Sequence, residues 1–120
     1  MQSILLVEDD KKISMALTLR LRSMGYQVDS AADAVYAMKA AMRCNPEVIL
    51  LDVNLPGGSG FVVADRLRAS PEMGATPIIF ITASKDPEMR KRAAAYPSSV
   101  FLEKPFQAAQ LTEALEQFVH

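Results

Sequence analysis

The run Val48-Ile49-Leu50-Leu51 ends on a carboxylate, Asp52, and then breaks into Pro56-Gly57-Gly58-Ser59-Gly60. Four consecutive apolar residues rich in β-formers are too few for a helix. They read as a strand covered on both faces, which is the habit of a parallel sheet. Two more runs have the same form. Ser3 to Val7 is closed by Glu8-Asp9-Asp10, and Pro77 to Ile81 is closed by Thr82. A fully covered strand excludes any architecture in which one sheet face meets water. The rest of the chain must therefore supply helices for both faces.

It does so in strict alternation. From Asp10 or Lys11 the apolar period becomes helical, with Ile13, Leu17, Leu21 and Met24 on one face and Gly25 as the stop. Tyr26 to Ala31 alternates as a strand. Ala32 to Arg43 is alanine- and methionine-rich and helical, ended by Asn45-Pro46. Ser59 can cap a helix carrying Phe61, Val63, Ala64 and Leu67, stopped by Ser70-Pro71. Asp86-Pro87-Glu88 combines a cap, a proline at the first helical position and an acid in the first turn, starting a helix that runs to about Tyr96. Ser99 to Glu103 is a last short strand, and Leu111, Leu115 and Phe118 mark a closing helix. Five strand–helix pairs predict an α/β fold, a doubly wound parallel five-stranded sheet. The 120 residues suffice for one domain, taken as 1–120, and not for two.

Such a sheet places its ligands beyond the carboxyl ends of the strands. Glu8-Asp9, Asp52, Thr82 and, just past the last strand, Lys104 all fall at that edge. Singly, each has an ordinary explanation. An Asp-Asp pair before a helix caps it, a strand-end threonine closes a turn, a lysine before proline is solvated, and Phe101 in a short strand is core. Together they form a set. Clustered carboxylates favour holding a cation, and oxygen ligands without His or Cys select Mg²⁺ or Mn²⁺. Thr82 offers a hydroxyl and Lys104 a mobile cation to an anionic group beside such a metal. Asp52 is then the natural nucleophile for a phosphoryl group.

The remaining sequence narrows the field by exclusion. A net charge of -1 gives no electrostatic case for nucleic acid or an anionic membrane. The single cysteine, Cys44, cannot make an internal disulfide and reads as helix-end packing. Acid arrives too early at the N-terminus for a signal peptide, and no apolar run approaches the roughly 20 residues of a membrane helix. A cytoplasmic location is expected.

The ordered set Leu6-Val7-Glu8-Asp9-Asp10, Leu51-Asp52-Val53-Asn54-Leu55-Pro56 with Gly60, Ile81-Thr82-Ala83 and Lys104-Pro105-Phe106 closely resembles the receiver domains of two-component response regulators, of the chemotaxis-regulator-like kind, over the whole chain. The resemblance implies the flavodoxin-like (βα)5 sheet order 2-1-3-4-5. It implies Asp52 as phosphoacceptor, Asp9 as direct metal ligand, Glu8 acting largely through metal-bound water, and a metal contact from the Asn54 backbone carbonyl that leaves the Asn54 side chain free to vary. Thr82 would bind a phosphate oxygen, Lys104 would pair with the phosphate, and Phe101 matches the aromatic whose rotamer follows Thr82. Asn54 and Ser84 occupy positions that tune the lifetime of the phosphoryl group.

Implied partners are a histidine kinase or histidine phosphotransfer protein upstream. Downstream, a protein partner or output domain would read the fourth helix, fifth strand and fifth helix, and the resemblance allows a homodimer that forms on phosphorylation. The domain would be a phosphorelay switch that assists its own phosphorylation and dephosphorylation, not a metabolic enzyme. Two rivals fit less well. Aspartyl-phosphate phosphohydrolases usually place a second acid where this chain has Asn54. Flavin carriers of the same fold need a hydroxyl- and glycine-rich phosphate loop where this chain has Glu8-Asp9-Asp10, which repels phosphate. Two departures from the family pattern stand out. Gly57-Gly58 predicts a loose loop after Asp52, and Ala94-Ala95-Tyr96-Pro97-Ser98-Ser99 replaces the common Gly-Ala, leaving the end of the fourth helix open.

Overall fold

The structure is a computed structural model that describes residues 2–119. Five strands and five helices alternate: β1 (Ser3–Val7), α1 (Lys11–Ser23), β2 (Gln27–Ala31), α2 (Ala34–Cys44), β3 (Val48–Asp52), α3 (Gly60–Ala69), β4 (Ile78–Thr82), α4 (Pro87–Ala94), β5 (Ser99–Glu103) and α5 (Ala108–Glu116). All pairings in the main sheet are parallel, in the order β2-β1-β3-β4-β5, as expected.

The period-two pleat divides the strand residues between two cores. Leu5, Val7, Ile49, Leu51, Ile78 and Phe80 face α2, α3 and α4. Ile4, Leu6, Val48, Leu50, Ile79 and Ile81 face α1 and α5. On α1, Leu17 and Leu21 are buried and Ile13 packs beside them. Met24, expected on the same face, instead falls on the C-cap and stays exposed, because the helix ends one residue earlier.

The helix starts are side-chain caps. Asp10 Oδ1 accepts from the amides of Lys12 (2.9 Å) and Ile13 (3.1 Å), so the third acid of the Glu8-Asp9-Asp10 run belongs to α1. Asp33 accepts from Tyr36 N–H at 2.7 Å, which places the start of α2 two residues beyond the expected Ala32. Ser59 caps α3 and Asp86 caps α4, with Pro87 at the first helical position.

Two differences concern the segments that depart from the family pattern. The loop after Asp52 is a small hairpin: Asn54–Leu55 pairs antiparallel with Gly58–Ser59. Pro56 and Gly57 form the turn, Gly57 at φ +78°, the proline-then-glycine pattern of a type II turn. Helix α4 ends at Ala94, two residues short of Tyr96. There the chain tightens into i→i+3 bonds, Ala95 N–H to the Arg92 carbonyl and Tyr96 N–H to that of Ala93, and then passes Ser98 at φ +54°.

Candidate functional site: an acidic pocket at the carboxyl edge of the sheet

Parallel pairing in register carries β1, β3 and β4 to one edge together. Val7 pairs with Leu51, and Asp52 with Ile81, so Glu8, Asp52 and Thr82 leave the sheet at the same level. All three are buried: Glu8 is 3%, Asp52 4% and Thr82 0% exposed. Asp9, one residue further along, is exposed. A carboxylate oxygen from each of Glu8, Asp9 and Asp52 lies within 4.8 Å of the others.

Positive charge enters from the far end of the chain. Lys104 N–H bonds to the Thr82 carbonyl at 2.8 Å, and its side chain runs back along the edge. There Nζ donates to Asp52 Oδ2 at 2.9 Å and also to Glu8 Oε1. The other Asp52 oxygen, Oδ1, accepts the Asn54 backbone N–H at 2.9 Å, and Glu8 Oε2 accepts that of Asp10 at 3.2 Å. Buried carboxylates thus have their lone pairs served, as desolvation demands.

The charges press on each other. Burial, and next the hydrogen bond with Asp52, push the Glu8 carboxyl up to about 7, against the opposing pull of Lys104. Burial draws the Lys104 ammonium down, but its bonds to Glu8 and Asp52 outweigh that and hold it above its ordinary value.

Gly60 makes the edge possible. A Cβ there would fall 2.3 Å from the Asp52 carbonyl oxygen, so only glycine lets α3 begin this close to β3. Its amide meets the Val53 carbonyl at 2.7 Å. A shallow cavity of about 300 Å³, lined by Asp9, Val53, Asn54, Leu55, Pro56 and Ser59, opens beside the pocket.

The expected residues do not all meet in one contact. Glu8, Asp9 and Asp52 cluster, and Lys104 joins Glu8 and Asp52. Thr82 joins through Asn54, whose Nδ2 donates to Thr82 Oγ1 at 3.0 Å. Ser84 also touches Thr82, donating its N–H to Oγ1 at 3.1 Å. Phe101 lies on β5 opposite Phe80, two residues before the Thr82–Glu103 pair, packed on the α3–α4 core with the Arg90 guanidinium 4.6 Å from its ring centroid. Sequence reading missed the hairpin after Asp52 and the Asn54–Thr82 bond. The Pro56-Gly57 dipeptide was a sufficient signal for the first, whereas the second depends on two strand ends meeting in space.

The donor set fits a hard divalent cation: three carboxylates, oxygen only, on adjacent strand ends. Over residues 4–116 the sequence matches the response regulator receiver domain. The chain belongs to that family. This receiver domain is 42% identical over 86 residues to the transcriptional regulatory protein AfsQ1 of Streptomyces coelicolor, covering 72% of this chain and 37% of that protein. It is 33% identical over 108 residues to the phosphate regulon regulatory protein PhoB of Rhizobium meliloti, covering 90% of this chain and 48% of the relative. The chain thus spans less than half the length of both curated relatives.

Among solved structures, the chemotaxis protein CheY4 of Vibrio cholerae superposes with a TM-score of 0.90 at 30% identity, covering 99% of each chain. The receiver domain of the sensor histidine kinase PA1611 of Pseudomonas aeruginosa superposes at 0.88 with 33% identity, covering 98% of this chain and 96% of that one. That domain has a magnesium ion coordinated in its active-site cleft. A receiver domain is a signalling switch, not a metabolic enzyme. Among the described residues no helix is long and apolar enough to cross a membrane.

Proposed function

We propose that residues 1–120 act as one receiver domain of a phosphorelay in the cytoplasm, in which Asp52 accepts a phosphoryl group from a phosphohistidine on a histidine kinase or phosphotransfer protein. The observation that carries this reading is the position of Asp52. It ends the central strand, with Glu8 and Asp9 oxygens within 4.8 Å and the Lys104 ammonium at 2.9 Å.

Glu8, Asp9 and Asp52, with the Asn54 backbone carbonyl, would hold Mg²⁺; Mn²⁺ is the other hard ion these oxygens suit. When bound, the ion neutralises charge on the phosphoryl oxygens. The chain's own groups do the rest. An Asp52 oxygen attacks phosphorus, a P–O bond forms and the P–N bond to imidazole breaks, the leaving nitrogen keeping the electron pair and regaining a proton from solvent. Lys104 is already at Asp52 and pairs with the arriving phosphoryl oxygens, while Thr82 Oγ1 donates to one of them. Water attacking the same phosphorus breaks the bond to the Asp52 oxygen, which leaves as the carboxylate, and releases inorganic phosphate, so the pocket assists both phosphorylation and dephosphorylation, with Asn54 and Ser84 beside Thr82 setting access.

Drawing the Thr82 hydroxyl toward the phosphoryl group frees space at β4 into which Phe101 turns, altering the face of α4, β5 and α5 that a downstream protein, an output domain or a second receiver reads. Incubation with acetyl phosphate and Mg²⁺ should add one phosphoryl group to the wild type and none to Asp52→Asn. Full labelling of that variant would sink the assignment. Thr82→Ala should still be labelled but lose the change in partner affinity, and an unchanged response there refutes the coupling to Phe101.

A further inference from the structure

The two ends of α4 are held in very different ways. Its N-terminal end is joined to Thr82 by a chain of single hydrogen bonds, and Met89, half-buried against the core, is the first apolar side chain of the helix to pack. Thr82 Oγ1 accepts from Ser84 N–H (3.1 Å), Ser84 Oγ from Asp86 N–H (3.2 Å), and Asp86 Oδ1 from Glu88 N–H (3.0 Å). Nothing in that chain is both buried and redundant.

The C-terminal end is fixed to α3 several times over. The Tyr96 ring stacks on Phe61, centroids 6.0 Å apart and planes within 2°, and tilts against Phe80 at 5.3 Å. Its hydroxyl donates to Asp65 Oδ1 at 2.5 Å, with the Phe61 carbonyl at 3.3 Å. Arg68 of α3 donates to the carbonyls of Thr76 (2.8 Å) and Pro97 (2.6 Å), which ties the segment before β5 to the segment before β4. Ser99 Oγ lies within hydrogen-bonding distance of the Tyr96 carbonyl (2.7 Å) and that of Ala93 (3.1 Å). Tyr96, Pro97 and Ser99, which take part in these contacts, all lie in the segment Ala94-Ala95-Tyr96-Pro97-Ser98-Ser99.

We propose that the Tyr96–Asp65 latch, with Arg68, fixes residues 93–99 on α3, so that a rearrangement set off at Asp52 is confined to residues 83–89 and Phe101. A helix anchored at one end and hung from the switch hydroxyl at the other can only pivot. The moving part of the partner-reading face is then the edge nearest the pocket. The far end of α4 stays in register with α3 in both states.

The inference rests on the proposed role of Asp52, and hydrogen exchange of the full chain separates the two. The probe is beryllofluoride with Mg²⁺, which mimics a phosphoryl group on aspartate. In the wild type, amide exchange should change over residues 83–89 and not over 93–99. In Tyr96→Phe, and in Asp65→Ala, which leaves the aromatic stack in place, the change should spread into 93–99. Without the probe, both variants should exchange residues 93–99 about fivefold faster than the wild type, the effect of losing one hydrogen bond. Equal responses over 83–89 and 93–99 in the wild type overturn the latch, as does a response that stays confined in both variants. A wild type that responds nowhere overturns the role of Asp52, and the probe-free comparison then decides the latch alone: unchanged exchange at 93–99 in both variants refutes it.

Discussion

Val48 to Leu51 and Asp52 are consecutive on β3 and almost equally buried, yet they stand in opposite relation to the fold. The four apolar side chains stabilise it by leaving water. Asp52 is tolerated there because Lys104 and the Asn54 amide serve its oxygens. Burial by itself therefore does not separate what holds this molecule together from what it uses. The sign of the energy does: a structural residue gains by burial, and a working one is kept buried against a cost met by its neighbours.

The largest expected effect isolates the apolar class. Phe80 is fully buried and its ring meets both Phe61 and Tyr96. Phe80→Ala should lower unfolding free energy by about 3–5 kcal/mol in urea melts. A loss below 1 kcal/mol would mean that the aromatic cluster is not part of the core.

A smaller effect of opposite sign is expected at the pocket. Three carboxylates lie together with one ammonium, which pairs with two of them, and unfolding separates them, so Asp52→Asn should stabilise the metal-free protein although it should abolish phosphoryl acceptance. Mg²⁺ binds only the folded pocket, and at ten times its dissociation constant it should add about 1.4 kcal/mol to the wild type and less to the variant. The comparison fails if Asp52→Asn is less stable without metal and gains as much from Mg²⁺.

The smallest effect sharpens the distinction with a third case, a polar group whose burial serves the fold. Tyr96 is pushed up to about 12, first by burial and then by the bond to Asp65 and its charge; Arg92 works the other way, and Arg68 lies close by. Because the folded value exceeds the roughly 10 of an unfolded tyrosine, its contribution to stability is complete below pH 10 and is lost as pH rises toward 12. A tyrosinate absorbance titration should show a last step near pH 12, absent in Tyr96→Phe and shifted down in Asp65→Ala. A final step near pH 10 in the wild type would refute the Tyr96–Asp65 pairing.

Much of this was legible in the chain. Each apolar run is bounded by residues that stop a strand, so strand count and the shared edge of Glu8, Asp52 and Thr82 follow from local pattern and the rules of parallel connection, whereas the sheet order came from the family resemblance. Helix starts were less exact, as at α2, where Asp33 is the cap and the helix begins at Ala34 instead of Ala32. What could not be read were contacts made by approach and not by sequence neighbourhood. The Asn54–Thr82 bond joins residues 28 apart, and the Tyr96–Asp65 bond residues 31 apart. Tyr96 in a helical stretch looks like one more turn of α4. The ring instead turns inward onto Phe61 and Phe80, and the helix ends at Ala94, with Pro97 barring its continuation through Tyr96.

The Lys104–Glu8 pair joins residues 96 apart, the first strand end to the last. During synthesis, Asp52 and its acidic neighbours leave the ribosome long before Lys104. The pocket thus stays without its internal cation until the fifth strand has been made and has docked on β4. A half-folded chain would carry Glu8 and Asp52 without the ammonium that pairs with them. Closure of the acidic pocket is in this way a long-range event, reached only when the last strand of the sheet is in place.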